Sequence, residues 1–146
     1  MAEDSDGKYL LWAQLLANDN YSRRLMAAAE YPTVTQDLAA ITDIPIAVAY
    51  RRVAVLAEVG LLIGTPTHVK RLPNNIVRSA TAYRSVLDKF SMSVDLKSPP
   101  TAHLEFRLRG TEMPILSDFS LDLLKYSPGQ RSVASDRYQR GNEPVI

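Results

Sequence analysis

The N-terminal half of the chain carries apolar residues at helical spacing. Residues 8–17 are densely apolar, and residues 21–30 resume the pattern after the polar break Asn18-Asp19-Asn20. The apolar stripe of the first segment is wide enough to pack against both a domain core and a partner. We therefore predict two helices, preceded by a polar, acidic and flexible tail over residues 1–6.

A capping pattern marks the start of a third helix. Pro32 ends the second helix, Thr33 is a good N-cap residue, and Gln36 three positions later completes a capping box. Residues 42–45 then predict a tight turn. The buried face of the third helix is predicted to contain Leu38, Ala39 and Ile41.

A fourth helix follows this turn. Pro45 can begin it, because the first turn of a helix has no amide hydrogen bond to lose. Its inward row is predicted to be Ala49, Val53 and Leu56. Gly60 fits the left-handed residue that ends many helices, and the apolar residues 61–63 continue as a strand. This order is the layout of a helix-turn-helix that leads into a β-wing.

The wing itself allows two interpretations. Residues 67–72 alternate between polar and apolar, Pro73-Asn74-Asn75 is a turn sequence, and residues 76–83 would form the returning strand. The apolar residues of the segment 76–90 also fall at helical spacing. A short wing followed by a helix is therefore the competing prediction.

The C-terminal part predicts a β-hairpin and a final helix. Residues 90–96 and 104–109 alternate on either side of a loop that contains Pro99-Pro100, which indicates two strands with one buried face. Residues 113–126 carry two apolar rows at helical spacing. The predicted fold class is α+β. A winged helix-turn-helix would occupy residues 7–87, a hairpin and helix for dimerisation or effector binding residues 88–127, and a flexible tail residues 128–146.

Charge is unevenly distributed along the chain, although the net charge is only +1. Residues 1–48 hold 3 basic and 7 acidic groups, residues 49–90 hold 7 basic and 2 acidic groups, and residues 91–146 hold 7 of each. The positive surplus follows the predicted turn and runs through the wing, as expected of a surface that binds a polyanion. The chain has no cysteine, which excludes disulfides and thiolate metal sites. We predict a cytoplasmic protein without a membrane partner.

The fourth helix carries the candidate base contacts. In a helix-turn-helix the second helix lies in the major groove of double-stranded DNA. Arg51 can bind guanine through two hydrogen bonds, and Arg52 can reach a phosphate. The alternative is that Tyr50 packs on the wing and Arg51 pairs with Glu58. Because Ala49 faces inward, the residues predicted to face outward are Ile46, Ala47, Tyr50 and Arg51.

The wing and the start of the third helix complete the predicted interface. A basic hairpin tip can enter the minor groove or hold phosphates, and the alternative is a solvated wing whose charges serve solubility. Residues at the start of the third helix could contact the backbone at the groove edge. The full predicted DNA-binding set is Thr33, Gln36, Ile46, Ala47, Tyr50, Arg51, Arg52, Lys70, Arg71, Asn74, Asn75 and Arg78.

The stretch 33–62 resembles the core of the ArsR-like winged-helix transcriptional regulators, most closely the short one-component type common in archaea. The matching residues are Leu38-Ala39, Thr42, Pro45, Tyr50-Arg51-Arg52, Val53, Leu56 and Gly60-Leu61-Leu62, then Tyr83-Arg84 and Leu87-Asp88. The resemblance extends over roughly residues 9–109 and implies a sequence-specific DNA-binding regulator. It departs from the family pattern at Ile46 and Ala47, where the family often has small polar residues.

No catalytic pattern accompanies these features. His68 and His103 are far apart in the sequence, and the six glycines are scattered singly rather than grouped in a phosphate-binding loop. We predict that the protein is not an enzyme and needs no cofactor or metal. A winged-helix module that docks to protein within a larger complex is the alternative function.

We predict a homodimer. One short recognition helix binds duplex DNA weakly, and a two-fold pair doubles the contacts. We predict no particular small-molecule effector, since no residue pattern in the C-terminal part indicates a ligand. The predicted dimer interface consists of Leu10, Leu11, Trp12, Leu15, Phe119 and Leu123.

Overall fold

The computed structural model describes residues 2–71 and 76–125, with side chains from Gly7 onward except that of Arg71. These residues form four α-helices and two three-stranded antiparallel sheets, so the predicted α+β class is confirmed. None of these helices is long and apolar enough to cross a membrane. The helices are α1 (Ala2–Asn18), α2 (Asn20–Ala28), α3 (Thr35–Thr42) and α4 (Ile46–Glu58). The strands are β1 (Thr33–Val34), β2 (Leu62–Arg71), β3 (Ile76–Ser85), β4 (Leu87–Asp95), β5 (Thr101–Leu108) and β6 (Ile115–Ser120).

The two predicted N-terminal helices are confirmed, but the first is longer than expected. α1 begins at Ala2, so residues 2–6, which we predicted as a tail, continue the helix. Asp19 separates α1 from α2 and caps α2. Its carboxylate accepts hydrogen bonds from the Tyr21 amide (3.3 Å) and the Ser22 hydroxyl (2.7 Å). The polar break is therefore a specific helix cap.

α3 begins one residue later than the capping pattern predicted, with Val34 rather than Thr33 at the N-cap. Thr33 and Val34 form β1, which pairs with β3. The Thr33 hydroxyl donates to the Tyr31 carbonyl at 2.7 Å instead of capping the helix, and α3 has no side-chain cap. The capping-box prediction is wrong, because Thr33 lies in a strand opposite Tyr83 of β3 and is not the N-cap of α3.

The inward faces of α3 and α4 follow the prediction with one exception. Ala49, Val53 and Leu56 of α4 are buried, as are Leu38 and Ala39 of α3. Ile41, predicted to be buried, is 65% exposed. Two threonines, Thr35 and Thr42, are buried on α3 instead and rotate the inward stripe away from Ile41.

α4 ends in a Schellman motif at Gly60, which confirms the predicted left-handed cap. Gly60 has φ +87°, and its amide donates to the Ala57 carbonyl at 3.1 Å. The next amide, that of Leu61, donates to the Leu56 carbonyl at 2.8 Å. The chain therefore leaves α4 directly into β2.

The segment 76–90 forms strands, which resolves the two interpretations of the wing. β2 and β3 pair from Leu62 opposite Ser85 to Arg71 opposite Ile76, and β1 joins the other edge of β3. At about 3.4 Å per residue the paired strands extend roughly 30 Å. Apolar residues four apart suit a strand as well as a helix, because four is also a multiple of the two-residue strand period.

The C-terminal hairpin is confirmed as β4 and β5, but the predicted final helix over residues 113–126 is wrong. Residues 115–120 form β6, in which Ile115 lies opposite Phe106 and Phe119 opposite Ala102. A 3₁₀ turn follows over residues 121–124. Ile115 and Phe119 are again four apart, and pairing with the open edge of β5 favours the strand. The buried face of this sheet is incomplete, because Met92 on β4 is exposed.

Trp12 links the helical part of the molecule to the C-terminal sheet. It is 1% exposed, and its indole nitrogen donates to the Val59 carbonyl at 2.7 Å. Its ring meets that of Phe106 edge-on, with the ring centroids 5.6 Å apart. Leu15 is buried in the same core. Much of the apolar stripe of α1 is therefore buried within the chain itself.

This packing corrects the predicted dimer interface. Trp12 and Leu15 are buried, so they cannot act as exposed anchors. Leu10 and Phe119 are half-buried against the core. Of the six predicted residues, only Leu11 and Leu123 stay exposed, at 45% and 49%.

Candidate nucleic-acid interface

The turn between α3 and α4 is held by local and tertiary contacts. Asp43 adopts a left-handed conformation with φ 58°, and the Ile44 amide donates to the Ala39 carbonyl at 3.1 Å. The buried Ile44 side chain anchors the turn in the core. The guanidinium of Arg24 on α2 donates to the Thr42 carbonyl. These contacts fix the direction in which α4 leaves the turn.

The outer side of α4 presents the residues that the sequence predicted there. Ile46, Ala47, Tyr50 and Arg51 are all exposed. Among the described residues Arg51 has no ion pair or hydrogen bond, so the alternative pairing of Arg51 with Glu58 is absent. Tyr50 is 54% exposed and borders a groove against β3. The outer side therefore combines one free cation with apolar and phenolic surface.

Arg52 has a different role from the one predicted. Its Nε lies 2.7 Å from Oδ2 of Asp19, and the two side chains are 22% and 6% exposed. The guanidinium also lies 5.9 Å from the ring centroid of Tyr21. The prediction that Arg52 contacts a phosphate is therefore corrected, because its charge pairs with Asp19 at the cap of α2.

The two predicted residues at the start of α3 differ in accessibility. Thr33 is half-buried within β1, and its hydroxyl is used by the Tyr31 carbonyl. Gln36 is exposed in the first turn of α3 and borders the same groove as Tyr50. Gln36 is therefore exposed at the groove, whereas Thr33 is half-buried and its hydroxyl donates to the Tyr31 carbonyl.

The basic residues of the β2–β3 hairpin lie on both of its faces. Lys70 pairs with Val77, and Arg78 pairs with Val69. Since paired residues share a face and successive residues alternate, Lys70 and Arg78 point to opposite faces. Both are exposed. The side chain of Arg71 and the whole of Asn74 and Asn75 lie outside the described residues.

A groove of about 470 Å³ separates α4 from the hairpin. Its wall on one side is Tyr50 and Ala54 of α4, and on the other side Arg78, Thr81 and Tyr83 of β3. Of these β3 residues, Arg78 was predicted from the sequence as a DNA contact, whereas Thr81 and Tyr83 were not. They reach it through a strand pairing between segments far apart in the chain.

The two histidines lie on strands, as expected for surface residues. His103 Nδ1 is 2.7 Å from Asp118 Oδ1, across the β5–β6 pair, and both side chains are exposed. His68 is exposed on β2. Within residues 2–71 and 76–125 no group of three or more His, Asp or Glu side chains is placed to hold a metal ion.

Comparisons of the chain with protein-family models, with curated proteins and with solved structures found no match. The resemblance to ArsR-like regulators therefore stays a prediction from the motif in residues 33–62.

Proposed function

We propose that α3, the turn, α4 and the β2–β3 hairpin form a winged helix-turn-helix, and that the protein is a sequence-specific DNA-binding transcriptional regulator acting as a homodimer. The observation that carries this proposal is Arg51, an exposed arginine without a partner among the described residues, beside Tyr50 on the outer side of α4. An arginine there can read guanine in the major groove. A tyrosine hydroxyl can bond a phosphate.

The hairpin supports the same proposal through its charge. A hairpin laid along a minor groove has a phosphate backbone on each side. Lys70 and Arg78 lie on opposite faces, so each can approach a different strand of the duplex. If both cations lay on one face of the hairpin, they could contact the phosphates of only one DNA strand.

The helix ends add a further contribution. α3 and α4 begin without a side-chain hydrogen bond at the N-cap. The first amides of a helix are unsatisfied donors with a partial positive charge, which suits a phosphate. The first turn of α4 offers Ile46 and Ala47, which have no polar side-chain groups. Sequence-dependent DNA shape must therefore supply part of the specificity.

Dimerisation is proposed through a surface formed by Leu11 and Leu123. Gln14 Nε2 donates to the Leu123 carbonyl at 2.8 Å, and Leu11 lies one helical turn before Gln14. The backbone of Leu123 therefore lies beside the part of α1 that carries Leu11. The two leucines are what remains accessible of the predicted interface.

Binding of duplex DNA of arbitrary sequence at low and high salt tests the class of function. If Lys70 and Arg78 each neutralise one phosphate, the affinity should fall about 12-fold per bound protomer between about 50 and about 200 mM salt. Fluorescence anisotropy of a labelled duplex gives this slope. Absence of binding at the lower salt concentration contradicts the proposal.

A protein-docking module is the second candidate function. It is favoured by the apolar exposure on the same elements, namely Ile41 on α3 and Ile46 on α4. Exposed apolar side chains that cluster on one surface are typical of protein interaction sites. Failure to bind duplex at low salt, with the fold intact, would favour this function.

A further inference from the structure

A second groove lies away from the proposed DNA-binding surface. It has a volume of about 820 Å³, within the range of small-molecule sites. α1 forms one wall with Lys8 and Trp12, and the base of the β2–β3 hairpin forms another with Ile63 and Arg84. Arg109, just after β5, completes it. We call this space the basal groove.

Cations without carboxylate partners surround the basal groove. Lys8, Arg84 and Arg109 line it, and no lining residue is acidic. Within the part of the chain whose side chains are described, none of the three forms an ion pair with a carboxylate. Three cations at one concave site, none of them paired with a carboxylate among the described side chains, favour an anion.

Arg109 is held in place for this role. Its Nε donates to the Ser85 carbonyl at 3.0 Å, and one terminal nitrogen donates to the Leu87 carbonyl at 3.1 Å. The side chain is half-buried, so its charge is partly removed from water. Carbonyl oxygens satisfy some of its donors but leave the charge uncompensated. The Nη1 group stays available to an anionic oxygen.

Apolar side chains also line the groove, beside the polar Thr65 and Ser85. Ile63 is 58% exposed, and Val86 and Leu108 line the floor. Lys8 Nζ lies 5.0 Å from the centroid of the Trp12 ring, so the cation and the aromatic surface are adjacent. A ligand that matches both features has an apolar body and one anionic end.

We propose that the basal groove binds an amphipathic organic anion, with the apolar body against Ile63 and Leu108 and the anionic group between Arg84, Arg109 and Lys8. This inference goes beyond the proposed DNA binding and does not depend on it. The ligand would contact α1, the hairpin base and the end of the C-terminal sheet together.

Trp12 is the only tryptophan of the chain, so its fluorescence reports on this groove. We expect octanoate to change the emission saturably in the full chain without DNA. Octanol, which has the same apolar body without the charge, should bind at least about fivefold more weakly, since the charge-assisted hydrogen bonds are missing.

Two substitutions and one matched control test the site. Arg84→Gln and Lys8→Gln should each weaken octanoate binding about three- to tenfold, as expected for the loss of one partly exposed charge contact. Lys97→Gln removes an exposed lysine that does not line the groove and should leave binding unchanged. Thermal unfolding shows whether each variant is folded. If Arg84→Gln does not fold, the octanoate affinity of Lys8→Gln tests the proposal.

The proposal is overturned if octanol binds as tightly as octanoate, if Lys97→Gln weakens binding as much as Lys8→Gln, or if octanoate leaves Trp12 emission unchanged. Because no DNA is present, a negative duplex-binding experiment has no bearing on these outcomes.

Discussion

Arg51 and Arg52 are neighbours in α4 and are expected to serve different purposes. Replacing Arg52 by Gln should destabilise the fold without changing how the affinity for DNA depends on salt. The reason is that Arg52 forms an ion pair with the buried Asp19, with 2.7 Å between Nε and Oδ2. Arg51→Gln, its matched control, removes an exposed side chain with no described partner.

The size of the effect follows from burial. Removing one partner of a fully buried ion pair costs about 3–5 kcal/mol, because the other charge is left without compensation. Asp19 is 6% exposed but Arg52 is 22% exposed, so water reaches one side of the pair. Asp19 also keeps its hydrogen bonds from Ser22 and Tyr21. We therefore expect a loss of about 2–3 kcal/mol, or roughly 5–10 °C in Tm for a chain of this size.

Urea unfolding followed by circular dichroism measures the free energy of unfolding, and anisotropy with a labelled duplex measures the salt slope. Arg51→Gln should change stability by less than about 0.5 kcal/mol while weakening duplex binding. The assignment of Arg52 is refuted if Arg52→Gln leaves the unfolding midpoint unchanged and flattens the salt slope instead.

Three further predictions concern the hairpin, the dimer and the cap of α4. Lys70→Gln should lower the salt slope of duplex binding by about 0.9 per protomer, whereas Lys97→Gln, which replaces another exposed lysine, should not; a slope unchanged from that of the wild type in Lys70→Gln would remove Lys70 from the interface. Leu11→Asp and Leu123→Asp should each shift the sedimenting species from dimer to monomer, because a charge replaces exposed apolar surface; a dimer that persists in both variants would place the interface elsewhere. Gly60→Ala should lower stability by about 1–2 kcal/mol, because only glycine adopts φ +87° without strain. Nothing lies within 4 Å of an added Cβ, so an unchanged Tm would mean that the backbone relaxes.

The helices around the turn could be predicted because their signals are local. The inward row of α4 and the left-handed Gly60 depend on residues within a few positions of each other. Hydrophobic spacing and glycine conformation act within one helix, whatever the rest of the chain does. The outward position of Tyr50 and Arg51 follows directly from that row.

Two of the elements that sequence reasoning missed depend on strand pairing. Thr33 enters a strand with β3 instead of capping α3. Residues 115–120 pair with β5 instead of forming a helix. In both cases backbone hydrogen bonds to another strand outweigh the local preference. In the second case Ile115 and Phe119 are four residues apart, a spacing that fits a helix or a strand.

For individual side chains, too, some roles follow from the sequence and others only from the tertiary structure. The sequence by itself determined that α4 presents Arg51 to solvent and that positive charge is concentrated after the turn. Only the tertiary structure decided that Arg52 forms an ion pair with Asp19 and that Trp12 is buried against the C-terminal sheet and the core. Helical periodicity specifies the direction of a side chain from its own helix. Which group meets that side chain depends on segments that pack together only in the folded chain.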